Sequence, residues 1–160
     1  MLIQVFRVDA TRQITPSGSS TWNYGAGRGL NLIPGFNSEF DVYNPPYIQH
    51  NTASARDGFG DVGFLYKYRI LSANHKQGDY AVSMQLAATV PTGTYTNGST
   101  DASIAPTLLA GKGFGKFDVI SSLGGNLPAA NTIKLGRSIA WNTTLQYHLG
   151  KYLWPEIGTN

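Results

Sequence analysis

Twelve consecutive residues, Asp79–Val90 (DYAVSMQLAATV), put Tyr80, Val82, Met84, Leu86, Ala88 and Val90 at every second position. Between them stand Asp79, Ala81, Ser83, Gln85, Ala87 and Thr89, which are small or polar. A β-strand sorts two such sets onto opposite faces, whereas a helix would scatter both around its cylinder. The same period returns in Gly60–Leu71, where Val62, Phe64, Tyr66, Tyr68 and Ile70 oppose Asp61, Gly63, Lys67 and Arg69. In Leu135–Leu149, Leu135, Ile139, Trp141, Leu145, Tyr147 and Leu149 share one parity, interrupted by Arg137 and Thr143. These runs are 12 to 15 residues long, against five or six for an ordinary globular strand. A tilted strand crosses the hydrocarbon of a membrane in about 9–11 residues. Each run is long enough to do so.

Composition agrees with strands. Only 13% of residues are charged, Glu occurs at Glu39 and Glu156 alone, and Gly numbers 19. Strong helix formers are scarce, while strand and turn residues abound. With 41% apolar residues the chain is not a disordered one. No apolar run reaches the length of a transmembrane helix. The net charge of +3 comes from scattered Lys and Arg rather than a basic stripe, which argues against nucleic acid as a partner. The absence of cysteine excludes disulfides and thiolate metal sites. The start, MLIQVF, lacks the basic region, long apolar stretch and cleavage site of a signal peptide.

Weaker strand candidates are Leu2–Val8, Arg28–Ile33, Asn37–Asn44, Ser103–Lys112, Phe117–Asn126 and Tyr152–Ile157. Their connections alternate in length. Pro34–Phe36, Ser72–Gly78, Gly113–Lys116 and Gly150–Lys151 are short; Asp9–Gly27, Pro45–Gly58, Pro91–Ala102 and Leu127–Lys134 are long and rich in turn residues. An all-β antiparallel up-and-down meander, with short turns at one end and long loops at the other, is the plan of a transmembrane outer-membrane β-barrel. Tyr66, Tyr68, Tyr80, Phe114, Phe117, Tyr147, Tyr152 and Trp154 are expected near the short-turn end, as an aromatic girdle at the lipid interface. Residues 1–160 are read as a single barrel domain.

In such a barrel the polar parity faces the lumen. That assigns Glu39, Asp41, Asp61, Lys67, Arg69, Asp79, Ser83, Gln85, Asp118, Asn142, Gln146 and His148 inward. Lys112 falls on the outward parity, but so close to a turn that it can reach lipid headgroups. Arg137 is placed similarly, near a loop end. The lumen so drawn carries both signs of charge, which either pair across a narrow interior or line a water-filled path.

The stretch Gly58–Leu71 (GFGDVGFLYKYRIL) resembles the GxGD…KYR strand of an outer-membrane β-barrel family labelled after the meta-cleavage pathway of phenol degradation. Similar matches follow in order: PTG at Pro91–Gly93, GKGFG at Gly111–Gly115, LGGNLP at Leu123–Pro128, and the segment Asn142–Asn160. Each motif is short, and their order and spacing carry the likeness from about Leu30 onward. The resemblance implies a transporter or porin-like barrel that passes hydrophobic or aromatic compounds. Members of that family carry an export signal and finish on a strand with a terminal aromatic residue. This chain departs on both counts, which predicts a fragment lacking its signal peptide and final strands. Eight or nine strands are expected here, from a whole barrel of about ten to fourteen.

No catalytic, metal or cofactor motif is present. His50, His75 and His148 have no partners at metal-ligand spacing. The sequence has no nucleophile elbow, P-loop or zincin pattern, and the glycines at Gly111–Gly115 lie between strands rather than opening a helix. The Asp57–Asp61 pair lacks calcium-loop spacing and is read as loop punctuation. Ser138 and His148 are too far apart along one strand to act together, although a cross-strand Ser83 could meet His148. The leading expectation is therefore a non-enzymatic channel in outer-membrane lipid. Asp61, Lys67, Arg69, Gln85 and Gln146 would line its path, and the loops at Pro45–Gly58 and Pro91–Ala102 would gate its mouth. The alternatives are a non-conducting structural or adhesive barrel and a soluble β-sandwich binding module.

Overall fold

The computed structural model describes residues 5–16, 18–25, 29–130, 136–151 and 153–159. The strands in chain order are β1 (Val5–Phe6), β2 (Ala10–Ile14), β3 (Ser20–Tyr24), β4 (Gly29–Gly35), β5 (Ser38–Tyr43), β6 (Tyr47–His50), β7 (Gly58–Phe59), β8 (Val62–Ala73), β9 (Tyr80–Val90), β10 (Ser103–Phe114), β11 (Phe117–Pro128), β12 (Ser138–Tyr147) and β13 (Glu156–Thr159). They form a nine-stranded sheet, β1-β4-β5-β8-β9-β10-β11-β12-β13, and a four-stranded sheet, β2-β3-β6-β7. Every ladder is antiparallel. Apart from the β2–β3 and β6–β7 excursions, the large sheet is an up-and-down meander. Among the described residues no ladder joins β1 to β13, so this sheet is open and these strands form no closed barrel.

Register carries the alternation of each strand across its neighbours. Tyr68, Met84, Leu108, Leu123 and Trp141 form one apolar row across five strands, and Val42, Phe64, Ala88, Ile104 and Leu127 another. The opposite face carries Glu39, Lys67, Gln85 and Thr107 in one row and Arg69, Ser83, Leu109, Ser122 and Asn142 in the next. A bulge at Ile70 inserts one residue in β8 opposite β9, so that Leu71 rather than Ile70 pairs with Val82. The strand then continues to Ala73. Tyr66 and Tyr68 consequently lie in mid-strand, not in the expected girdle, while Tyr80, Phe114, Phe117 and Tyr147 do gather at the short-turn end. Phe117 and Tyr147 meet there with ring centroids 4.7 Å apart.

The short connections have local causes. Gly115 opens the β10–β11 turn at φ 69°, a conformation that costs little only for glycine and suits the twist of a tight hairpin. In the β8–β9 turn the Asn74 side chain accepts a hydrogen bond from the Lys76 amide, and Gly78 closes a single 3-10 turn at φ 117°.

Two of the long connections are not loops. The segment expected to be irregular at 9–27 contains β2 and β3, and that at 45–58 contains β6 and the start of β7. These strands are two to five residues long, too short to display a period. They exist because β3 pairs with β6 across a large gap in sequence. The last strand begins at Glu156, where the Tyr147 and Leu149 amides bond back to the Pro155 and Leu153 carbonyls ahead of it. Residues 2–4, 17, 26–28, 131–135 and 152 of the expected strands and loops lie outside the described residues.

Candidate functional site

The polar face of the nine-stranded sheet gathers most of the side chains that parity assigns inward. Lys67 stands between Glu39 and Gln85, Arg69 beside Ser83, Asn142 beside Ser122, and Gln146 beside Asp118. Asp41 pairs across β5 with Asn31 and Leu65. Asp79 bonds through its carbonyl to the Gly113 amide and His148 follows β12, so both join Asp118 at the short-turn rim.

The charges on this face are tied up to different degrees. Lys67 Nζ lies 2.9 Å from Glu39 Oε1, and Glu39 is only 6% exposed. Asp41, 2% exposed, accepts a hydrogen bond from Asn31 Nδ2 at 2.7 Å. Arg69 donates at 3.0 Å to the Phe36 carbonyl and to Asn37 Oδ1, both neutral oxygens, so these bonds orient the guanidinium without cancelling its charge. At the rim, His148 Nε2 lies 2.9 Å from Asp118 Oδ2 and its ring stacks on Trp154. A hollow of about 450 Å³ opens on this face, lined by Lys67, Arg69, Asp79, Ser83 and Asp118. Its chemistry is hydrogen bonding and charge. Ser83 faces Arg69 and Leu109 while His148 sits beside Lys116, so these two do not meet as nucleophile and base. Among the described residues no three His, Asp or Glu side chains are arranged to hold a metal ion.

Asp61 stands apart. Its parity is that of the polar face, but its carboxylate is consumed by the loop at 91–102: Oδ1 accepts from the Gly93 amide at 2.9 Å and Oδ2 from the Ser99 amide at 2.6 Å. Partial burial pushes this carboxyl up, but the Ser99 and Gly93 amide bonds outweigh burial and hold it below the ordinary aspartate value. The same loop is fastened to β7 by Thr94, whose amide donates to the Phe59 carbonyl and whose Oγ1 accepts from the Phe59 amide. Thr92 Oγ1 accepts from the Val62 amide. Asn97 bridges to His50 Nε2 at 2.7 Å and to the Arg56 carbonyl at 3.0 Å. The two loops expected to gate the mouth are therefore bolted together. Sequence spacing hides this, because each of these residues lies at least 30 positions from its bonding partner in the chain.

A protein-family model described as "Putative MetA-pathway of phenol degradation" matches residues 6–156. The chain belongs to this family. No curated protein and no solved structure matches it significantly. Three of the motifs that resemble the family, GFGD, PTG and GKGFG, fall where strands meet loops, while LGGNLP lies within β11. In GFGD, Gly58 leaves room for Thr94 and Asn97 and Gly60 for Pro46, since a Cβ at either would sit under 3 Å from its neighbour. Asp61 then supplies the clamp. In PTG, Thr92 and Gly93 are the clamped partners, and Gly93 packs on Gly98 so closely that neither can carry a side chain. In GKGFG, Gly113 opens space for the Asp79 carboxylate, and Gly115 makes the turn. In this chain these glycines do architectural work at both ends of the sheet.

Proposed function

We propose that this chain is part of an outer-membrane β-barrel through which small hydrophobic or aromatic compounds pass. One observation carries the membrane half of the reading: the sheet is inside out. Leu65 is its one buried hydrophobic side chain among the described residues, whereas Glu39 and Asp41 are buried polar ones. On the other face Leu123, Trp141 and Ile139 are 53%, 70% and 84% exposed. An apolar surface of this extent needs a partner in water, and a lipid-facing band would supply one. Strands of 10 to 12 residues suit a tilted span.

The family name supports the aromatic half. A phenol-like solute has a flat apolar ring and one hydroxyl. Neutral donors and acceptors such as Ser83, Gln85, Thr107, Ser122, Asn142 and Gln146 would exchange hydrogen bonds with it along the polar face without trapping it as a charge would. The bolted loops at 44–61 and 91–102 would shape the outer mouth.

Single-channel recording on the full-length protein in planar bilayers tests the reading. Discrete conductance steps are expected, with ion preference moving toward cations in Arg69→Glu, because Arg69 carries a charge that its bonded oxygens leave uncancelled. Insertion without conductance would leave a non-conducting structural or adhesive barrel. A protein monodisperse in buffer without amphiphile would overturn the membrane reading in favour of a soluble β-sandwich.

A further inference from the structure

On the apolar face of the nine-stranded sheet, Lys112 is the one charged side chain among the described strand residues. Register pairs it with Tyr80 on one side and Val119 on the other, both of that face. Its ammonium donates to the Gly78 carbonyl in the adjoining turn and lies 5.8 Å from the Tyr80 ring centroid and 5.7 Å from that of Phe114. An ammonium has three donors, so two remain for a ligand.

Beside it runs a shallow groove of about 540 Å³, walled by Tyr80, Val82, Phe114 and Val119 and floored by Ala110. The floor is low because Ala110 and its cross-strand neighbour Ser121 are small where Leu108 and Leu123, in the next row of that face, are large. A cation at the short-turn end of an apolar trough complements an amphiphile whose head bears a negative charge and whose tail is a hydrocarbon chain. Lys112 also borders the polar hollow that holds Asp79 and Asp118, yet among the described residues no carboxylate lies within ion-pair distance of it, so its charge is open to an anion.

We propose that this groove is a binding site for an anionic glycerophospholipid, with the headgroup phosphate on Lys112 and one acyl chain in the trough walled by Tyr80 and Phe114. The site rests on the membrane reading above and adds a lipid preference to it. The rings hold the ammonium at the level of the short turns, and the lipid belongs to the leaflet on that side.

The test uses the protein reconstituted in phosphatidylcholine vesicles, with spin-labelled phosphatidylglycerol and spin-labelled phosphatidylcholine as probes. Insertion is measured first, by flotation and protease protection. The wild type should hold the phosphatidylglycerol probe in preference to the phosphatidylcholine one. Lys112→Gln should lose about fivefold of that preference while inserting as well as the wild type. Ala110→Phe, which fills the trough and keeps the charge, should also weaken it. Equal retention of the two probes by the wild type, or a preference unchanged in Lys112→Gln, overturns the site and leaves the membrane reading standing. Failure to insert in any vesicle overturns the membrane reading itself and removes the site with it.

Discussion

The two ends of β8 are held by different physics. Below Val62 the strand belongs to a wide sheet in which every neighbour repeats the same alternation, so many equivalent cross-strand contacts share the task of fixing register. Just above it, the loop at 91–102 is held to residues 50–61 by a few particular bonds: the Asp61 carboxylate on two amides, Thr94 on Phe59, and Asn97 on His50 and Arg56. Redundancy makes the sheet tolerant of one lost contact and intolerant of a residue on the wrong face. The loop end is the reverse, since each bond lacks a substitute but little surface chemistry depends on it.

Face specificity gives the largest predicted effect. Leu108 lies in the middle of the apolar face and Thr107 next to it on the polar face. Leu108→Arg should destabilise the membrane-embedded protein by about 3 kcal/mol, the cost of a cation near the midplane of a lipid-facing strand. Thr107→Arg should cost far less. Denaturant unfolding in lipid vesicles measures both, and equal costs would mean that the two faces meet the same environment.

Next comes the Lys67–Glu39 ion pair. Lys67→Met strips Glu39 of its partner and leaves a nearly buried carboxylate alone, which should cost about 3 kcal/mol. Adding Glu39→Gln removes the stranded charge and should restore most of the loss, a non-additivity that a double-mutant cycle reads directly. Additive effects would mean that the two side chains do not interact in the folded protein.

Much of this arrangement can be read from the residues alone, and the gaps have physical reasons. β8, β9 and β12 are legible because each alternates over ten or more residues, while β10 and β11 show the pattern more weakly. The bulge at Ile70 is not legible, since a one-residue slip shows up only against the partner strand. β2, β3, β6 and β7 escape because their order comes from tertiary pairing and not from pattern. At the site, parity finds which side chains share a face but not which of them bond, so Glu39 and Lys67 are grouped without being paired. Asp61 is the instructive miss. Its parity matches the polar face, and only the folded loop reveals that Gly93 and Ser99 have taken its oxygens.

The smallest effect predicted is also the most local. Asp61→Asn replaces one acceptor oxygen with an NH₂ group that faces a backbone donor, so one of the two amide bonds must break, at about 1 to 2 kcal/mol. Amide hydrogen exchange should quicken at Gly93 and Ser99 while the strands β9 to β11 keep their protection. Acid should do the same to the wild type. Because the folded Asp61 carboxyl titrates below the ordinary value of 3.8, its stabilising contribution is complete above about pH 4 and disappears as the pH falls through that lower folded value. The decisive comparison is with Asp61→Asn, whose loop exchange should lack the acid step. If the variant keeps that step, another group holds the loops, and the division between a redundant sheet and a loop end latched by Asp61 fails.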